Sequence, residues 1–245
     1  MYVRRLELAD APSAPTPAWA LEVPAVRGLQ AGPLDLSAPI TVLTGDNGVG
    51  KSTVLEAIAM HYGFSPDGGP LAVLPPQPWV NPLRHCTTLV RGDKAADGYF
   101  LRAESHYRVA ATFARTRATA ENWLHCSHGE SVFGVVEQSF SGRGLFLLDE
   151  PESGLSLVRQ MALLAEIHQA AQAGAQFIVV THSPVLVGLP GAVLYEFTAP
   201  GPAGPGGIQR LVDVFDTSAY RQLVAFLNAQ PKSLGLNRAA LIARP

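Results

Sequence analysis

Ile40-Thr41-Val42-Leu43-Thr44-Gly45-Asp46-Asn47-Gly48-Val49-Gly50-Lys51-Ser52-Thr53 sets a short β-like run against a Gly-rich turn that ends in Lys-Ser-Thr. Residues Gly45 to Ser52 fit the pattern G-x-x-x-x-G-K-[ST] at every fixed position, and a helical run from Thr53 to Met60 follows. Strand, loop and helix in that order are the context in which the pattern has physical meaning. The glycines let backbone N–H groups turn toward phosphate oxygens, and the helix N-terminus adds partial positive charge at the same point. Lys51 is expected to reach the β- and γ-phosphates, and Ser52 to hold Mg²⁺. The plainer alternative, a Gly-rich strand–helix turn with a chance lysine, does not explain why all the fixed positions agree. A nucleoside triphosphate is therefore the expected ligand of residues 45–53.

The bulk numbers narrow the class. A chain of 245 residues allows one large domain or two small ones. Its 47% hydrophobic and 16% charged residues supply a sizeable core. The net charge of −2 argues against a polyanion binder as a whole. Cys86 and Cys126 form no CxxC pair, so no disulfide framework is expected and a reducing compartment fits better. No apolar run reaches the roughly 18 residues of a membrane span. Met1-Tyr2-Val3-Arg4-Arg5-Leu6-Glu7 carries charge where a secretory signal would be apolar. The expectation is a cytoplasmic protein without direct membrane insertion.

Outward from the loop, residues 1–9 read as a first strand and residues 10–18 as a Pro-rich loop. Trp19 to Val26 reads as a second strand or an extended edge segment. Gly63 to Pro82 is a long Gly/Pro-rich excursion. Thr87 to Arg91 and Tyr99 to Ala103 read as two strands joined by a turn, a β-hairpin. Helices are expected from about Ser105 to Thr119 and from Glu130 to Phe140. Leu145-Phe146-Leu147-Leu148 and Gln176-Phe177-Ile178-Val179-Val180 are strand-length runs of mainly apolar residues around Leu155 to Ala173, which has helical spacing. That order predicts a buried parallel sheet. Val193 to Thr198 reads as a further strand, Pro200 to Gly207 as a loop and Ser218 to Asn228 as a closing helix.

Two motifs stand at the ends of those apolar strands. Leu148 runs into Asp149-Glu150-Pro151, and Val180 into Thr181-His182-Ser183-Pro184. Asp149 would emerge beside the phosphate loop and hold Mg²⁺ through water, while Glu150 would polarise an attacking water. A neutral His182 at the same sheet edge could hydrogen-bond the γ-phosphate and that water. Either motif alone is common. Following the phosphate loop in this order, they form a constellation.

With these residues in hand, the chain resembles an ABC-type ATPase head, the class that includes transporter motor domains and SMC- and RecF-like ATPases. Gly45 to Thr53 resembles the Walker A loop and Leu145 to Glu150 the Walker B strand with its following Glu. Ser153-Gly154-Leu155-Ser156 resembles the D-loop, and Thr181-His182-Ser183 the switch-histidine loop. Cys126-Ser127-His128-Gly129-Glu130-Ser131 stands in the place of the signature, usually Leu-Ser-Gly-Gly-Gln. Here His128 replaces the first Gly and Glu130 replaces Gln. Ser-His-Gly-Glu is similar to a group of small, single-domain bacterial proteins described as predicted ATPases.

The resemblance implies an α/β P-loop NTPase with a mainly parallel central sheet, an N-terminal antiparallel β subdomain and a helical signature lobe. It implies one domain over residues 1–245, with the hairpin and lobe at about 85–140. It also implies ATP and Mg²⁺ as ligands and hydrolysis as the reaction, with a head-to-tail homodimer closing on ATP. Ser127 and the Gly129 backbone of one copy would then contact the phosphate held by Lys51 of the other. Such heads carry a Q-loop side chain near Mg²⁺. No Leu-Pro-Gln occurs, so Glu104 or Gln77 would take that place, with Glu104 preferred.

Other readings compete. His85-Cys86 and His125-Cys126-Ser127-His128 lack zinc-ligand spacing. Residues 84–117 hold seven basic groups (Arg84, Arg91, Lys94, Arg102, Arg108, Arg115, Arg117) against three acidic ones, an excess that could contact a nucleic-acid backbone. A solvated surface is the plainer reading. A RecF-like DNA-linked head, a transporter motor and a nucleotide-gated module without turnover remain as rivals. Ser127 follows Lys51 by 76 positions, which leaves no room for an SMC arm.

Overall fold

Where each strand finds its partner decides what the phosphate loop faces. In the computed structural model the described residues are 1–13, 15–71, 81–103, 143–201 and 204–233. Among the described residues seven strands form the central sheet, in the order β10-β9-β3-β8-β7-β6-β4. These are β3 (Ile40–Gly45), β4 (Gly69–Pro70), β6 (Gly98–Arg102), β7 (Leu145–Asp149), β8 (Gln176–Val180), β9 (Val193–Thr198) and β10 (Gly207–Leu211). β9, β3, β8, β7 and β6 run parallel to one another, while β10 and β4 are antiparallel additions at the edges. Three further strands, β1 (Val3–Leu8), β2 (Leu34–Asp35) and β5 (Thr87–Arg91), form a separate antiparallel sheet in the order β2-β1-β5.

The apolar runs explain the layering. Every residue of β7 and β8 is buried, as expected of parallel strands covered on both faces. Because successive side chains point to opposite faces, each strand divides its residues between two cores. Leu145, Leu147, Ile178 and Val180 pack with Val54, Leu55 and Ile58 of the helix Lys51–Tyr62. Phe146, Leu148, Phe177 and Val179 pack with Leu163 and Ile167 of the helix Leu157–Gln172. Phe146 and Phe177 stack across β7 and β8 at 5.1 Å between ring centroids. In chain order the described helices are α1 (Ala18–Glu22), α2 (Pro24–Ala31), α3 (Lys51–Tyr62), α4 (Leu83–Cys86), α5 (Leu157–Gln172), α6 (Pro184–Val187) and α7 (Ser218–Ser233).

One side chain fastens the small sheet to the large one. Gln176, fully buried at the start of β8, accepts from the N–H groups of Tyr2 and Val3, both at 2.8 Å. Its amide nitrogen donates to the carbonyls of Val3 at 2.8 Å and Leu36 at 2.6 Å. A buried amide satisfied on both ends holds two elements in register, because any slip leaves donors and acceptors without partners.

Three expectations change. Thr87–Arg91 and Tyr99–Ala103 do not form a hairpin: β5 pairs with β1, and β6 pairs with β7 and β4. Trp19 to Val26 is helical, spanning α1 and the start of α2, with Pro24 at the first position of α2. The fixed φ of proline suits that position, where no backbone donor is needed. The closing helix runs on to Ser233. The helices expected at Ser105–Thr119 and Glu130–Phe140, and Gln77, Glu104, Ser127 and Gly129, lie outside the described residues.

Candidate active site

The loop between β3 and α3 is held by a close backbone approach. Gly45 has φ +121°, and a Cβ there would sit 2.0 Å from the carbonyl oxygen of Phe197 on β9. Only glycine fits. Asp46 N–H then donates to that same carbonyl at 3.2 Å. At the other end Gly50, the N-cap of α3, is left-handed at φ 100°, and no side chain caps the helix. The first turn of α3 contains no acidic residue, so its N–H groups and positive end face the loop uncompensated. Lys51 is buried, and its Nζ donates to the carbonyls of Gly45 at 2.9 Å and Asp46 at 2.5 Å. Burial lowers its pKa, against the attraction of Glu150, Asp46 and Asp149.

Parallel pairing brings the other strand ends alongside. Asp149, the last residue of β7, stands opposite Val180, the last of β8, and Thr181 N–H donates to Leu43 on β3. Ser52 Oγ donates to Asp149 Oδ1 at 2.8 Å. Glu150 follows in a left-handed conformation, φ 50°, with its N–H bonded to Val180 O at 2.9 Å. Its carboxylate is about half exposed, and Oε1 lies 3.7 Å from His182 Nε2. The His182 pKa is lowered, first by burial and then by Lys51, against the attraction of Glu150, Glu152 and Asp46. The imidazole is thus neutral at pH 7, as a group that both accepts and donates must be.

Residues Gly45 to Thr53, Asp149, Glu150 and His182 therefore gather at one edge of the sheet. Ser52 and Asp149 give a hydroxyl and a carboxylate 2.8 Å apart. Among the described residues no group of three or more His, Cys, Asp or Glu side chains could hold a metal. Mg²⁺ does not require one: it keeps several waters and is bound by one or two protein oxygens plus substrate phosphates. The donor set fits Mg²⁺ bound together with a nucleotide.

Two family models match the sequence. One is described as "AAA domain, putative AbiEii toxin, Type IV TA system" and matches residues 107–188. The other, "AAA domain", matches residues 21–70. Between them they take in the phosphate loop, both strand-end carboxylates and His182.

The strand, phosphate loop and helix set in a mainly parallel sheet make a P-loop fold.

Solved structures similar to this chain include an SMC head domain from Thermotoga maritima, at 16% identity over 87% of this chain and 100% of that chain, TM-score 0.47. An ABC transporter in an inward-facing conformation is similar at 16% identity over 92% of this chain and 89% of that one, TM-score 0.49. An SMC head bound to the C-terminal winged-helix domain of ScpA is similar at 13% identity over 86% and 98%, TM-score 0.48. No curated protein matches. Among the described residues no helix is long and apolar enough to cross a membrane.

The site has supports that no motif in the sequence shows. Glu152 Oε1 accepts from the N–H groups of His182 at 2.7 Å and Ser183 at 3.1 Å, tying the turn after β7 to the loop after β8. Ser183 Oγ donates to Gln160 Oε1 on α5 at 2.6 Å, and Gln160 Nε2 donates to Leu155 O at 3.0 Å. Ser183 also caps α6. His182 is thus presented by a loop bonded on two sides. Arg102, counted above with the basic surface, instead points inward: its Nη1 donates to Glu56 Oε2 at 2.9 Å and Pro66 O at 2.8 Å. No spacing in the sequence joins Arg102 to Glu56 or Glu152 to His182; only the strand order does.

Proposed function

We propose that this P-loop ATPase hydrolyses ATP to ADP and phosphate and works as a head-to-tail dimer closed by ATP. The observation that carries the reading is the convergence of Lys51, the Ser52–Asp149 pair and the Glu150–His182 pair at the ends of three adjacent parallel strands. The uncapped first turn of α3 and the Lys51 ammonium would bind the phosphates. Lys51 would exchange its two backbone carbonyls for phosphate oxygens, a charge-assisted bond in place of neutral ones. Bound Mg²⁺ would supply charge neutralisation of the phosphates, with Ser52 and Asp149 as its protein partners. Glu150 would take the proton of a water as its oxygen attacks the γ-phosphorus, and the bond from that phosphorus to the bridging oxygen of ADP would break. Neutral His182 would orient the water and donate to the γ-phosphate.

In this reading Ser127 and Gly129 of a second copy complete the site, as the resemblance to ABC-type heads implies. Light scattering tests the dimer. Glu150→Gln protein with ATP is expected to show twice the mass of the same protein with ADP, and Ser127→Arg to restore the monomer while ATP still binds. A mass that does not respond to ATP would refute the dimer without touching the chemistry. The exposed Arg84, Arg91 and Lys94 favour a second reading, a DNA-linked ATPase. DNA-stimulated phosphate release would select it.

A further inference from the structure

Arg102 ends β6 directly opposite Asp149 at the end of β7. Its side chain is 19% exposed and carries a guanidinium between two carboxylates. Nη1 is bonded to Glu56 and Pro66, while Nε lies 3.8 Å from Asp149 Oδ2. That Nε is buried and has no hydrogen-bond partner. The other oxygen of Asp149, Oδ1, receives the Ser52 hydroxyl. Ser52 and Glu56 are four residues apart on α3, hence neighbours on one helix face. Ser52, Asp149, Arg102 and Glu56 thus close a ring through one turn of the helix that starts at the phosphate loop. The ring of Phe100, two residues earlier on β6, lies 5.9 Å from the guanidinium carbon and flanks it.

We infer that Arg102 is a positioning residue for the metal-binding carboxylate. It holds Oδ2 of Asp149, so that Oδ1 stays turned toward Ser52 and the Mg²⁺ that arrives with the nucleotide. The inference rests on the ATPase reading of this site. Arg102 touches neither the phosphates nor the water; it acts through Asp149. Its anchor to Glu56 makes the aim of the carboxylate depend on α3, the helix that also presents Lys51 and Ser52. Without the guanidinium, Asp149 has a second cation within its field, Lys51, whose charge it already feels. Loss of the guanidinium would leave Lys51 a larger share in the field at Asp149. Partners one shell behind a metal ligand typically change metal affinity by about 10–100-fold. Arg102 also binds the buried Glu56, so its removal takes a cation from that carboxylate too and costs stability.

The test separates those two effects. Binding of a fluorescent ATP analogue is followed against Mg²⁺ concentration in the parent, in Arg102→Met/Glu56→Leu and in Arg102→Lys. The double variant removes the Glu56 carboxylate together with the cation that binds it. If it nevertheless fails to fold, Arg102→Lys carries the test, since a single ammonium cannot reach Glu56, Pro66 and Asp149 together. The expected result is a rise of about tenfold in the Mg²⁺ concentration giving half-maximal binding, with binding in EDTA within about twofold of the parent. A half-saturation unchanged in the variants, or an equal loss with and without Mg²⁺, overturns the inference. A parent that binds no nucleotide under any condition overturns the ATPase reading instead.

Discussion

Glu150→Gln is expected to slow phosphate release from ATP by about 10²–10⁴-fold, the usual contribution of a positioned general base. The change replaces a proton acceptor by an amide of nearly the same shape, so it removes the base without emptying the site. Three features point to Glu150 over its neighbour. Asp149 is buried and bonded to Ser52, which suits it to the proposed Mg²⁺ side of the site. Glu150 is about half exposed and lies beside His182, so a water can reach both. Its left-handed backbone turns the side chain away from the strand, at a cost of roughly 1–3 kcal/mol that pairing and packing must offset. Such conformations persist where the surrounding structure enforces them, here through Glu150 N–H to Val180 O and Ser153 N–H to Glu150 O. A steady-state phosphate assay decides the matter. Turnover at the parent rate in the Gln variant would remove Glu150 from the mechanism. ATP affinity should be little changed, because in the proposed reading Glu150 serves the attacking water and Lys51 the phosphates.

Lys51→Ala acts on binding instead. Lys51 is the buried cation at the loop, held ready by two carbonyls that a phosphate can replace. Charge-assisted bonds to phosphate contribute about 1.5–3 kcal/mol each, and each 1.4 kcal/mol is roughly tenfold in affinity. Loss of the ammonium should therefore weaken MgATP binding by about a hundredfold or more. Titration calorimetry reads the affinity directly. The rise in melting temperature that saturating MgATP gives the parent should also disappear, since a ligand stabilises only what it binds. A Lys51→Ala protein that binds MgATP within a few-fold of the parent would dissociate the loop from nucleotide binding.

Much of the architecture was legible because its signals are local. β3, β7 and β8 are short apolar runs, and the groups that follow them fall at one sheet edge as soon as the strands are parallel. The hairpin error came from trusting the turn at 92–97. The better signal was burial: Tyr99, Phe100 and Leu101 are apolar in succession, the mark of a strand covered on both faces, while Thr88 and Arg91 are exposed. The two strands thus belong to different sheets. Trp19 to Val26 looked extended because apolar residues dominate it, yet Pro24 was a helix-start signal in plain view. Arg102, Glu56 and Glu152 lay beyond any reading of spacing. Arg102 meets Asp149 only through the β6–β7 pairing, and Glu152 meets His182 only because β7 and β8 are neighbours.

The left-handed backbone at position 150 also sets two kinds of fitness against each other. Glycine, and to a lesser degree asparagine, adopts φ near +50° at little cost, whereas glutamate does so only under constraint. In a library randomised at this one codon and sorted for survival of heating, Gly and Asn should be enriched over the parental Glu. Sorted for phosphate release, the same library should return Glu. If heat sorting also returned Glu, the constraint would be absent. A lineage of such chains under pressure for robustness alone would be drawn toward abandoning the proposed chemistry at the very residue assigned as its base.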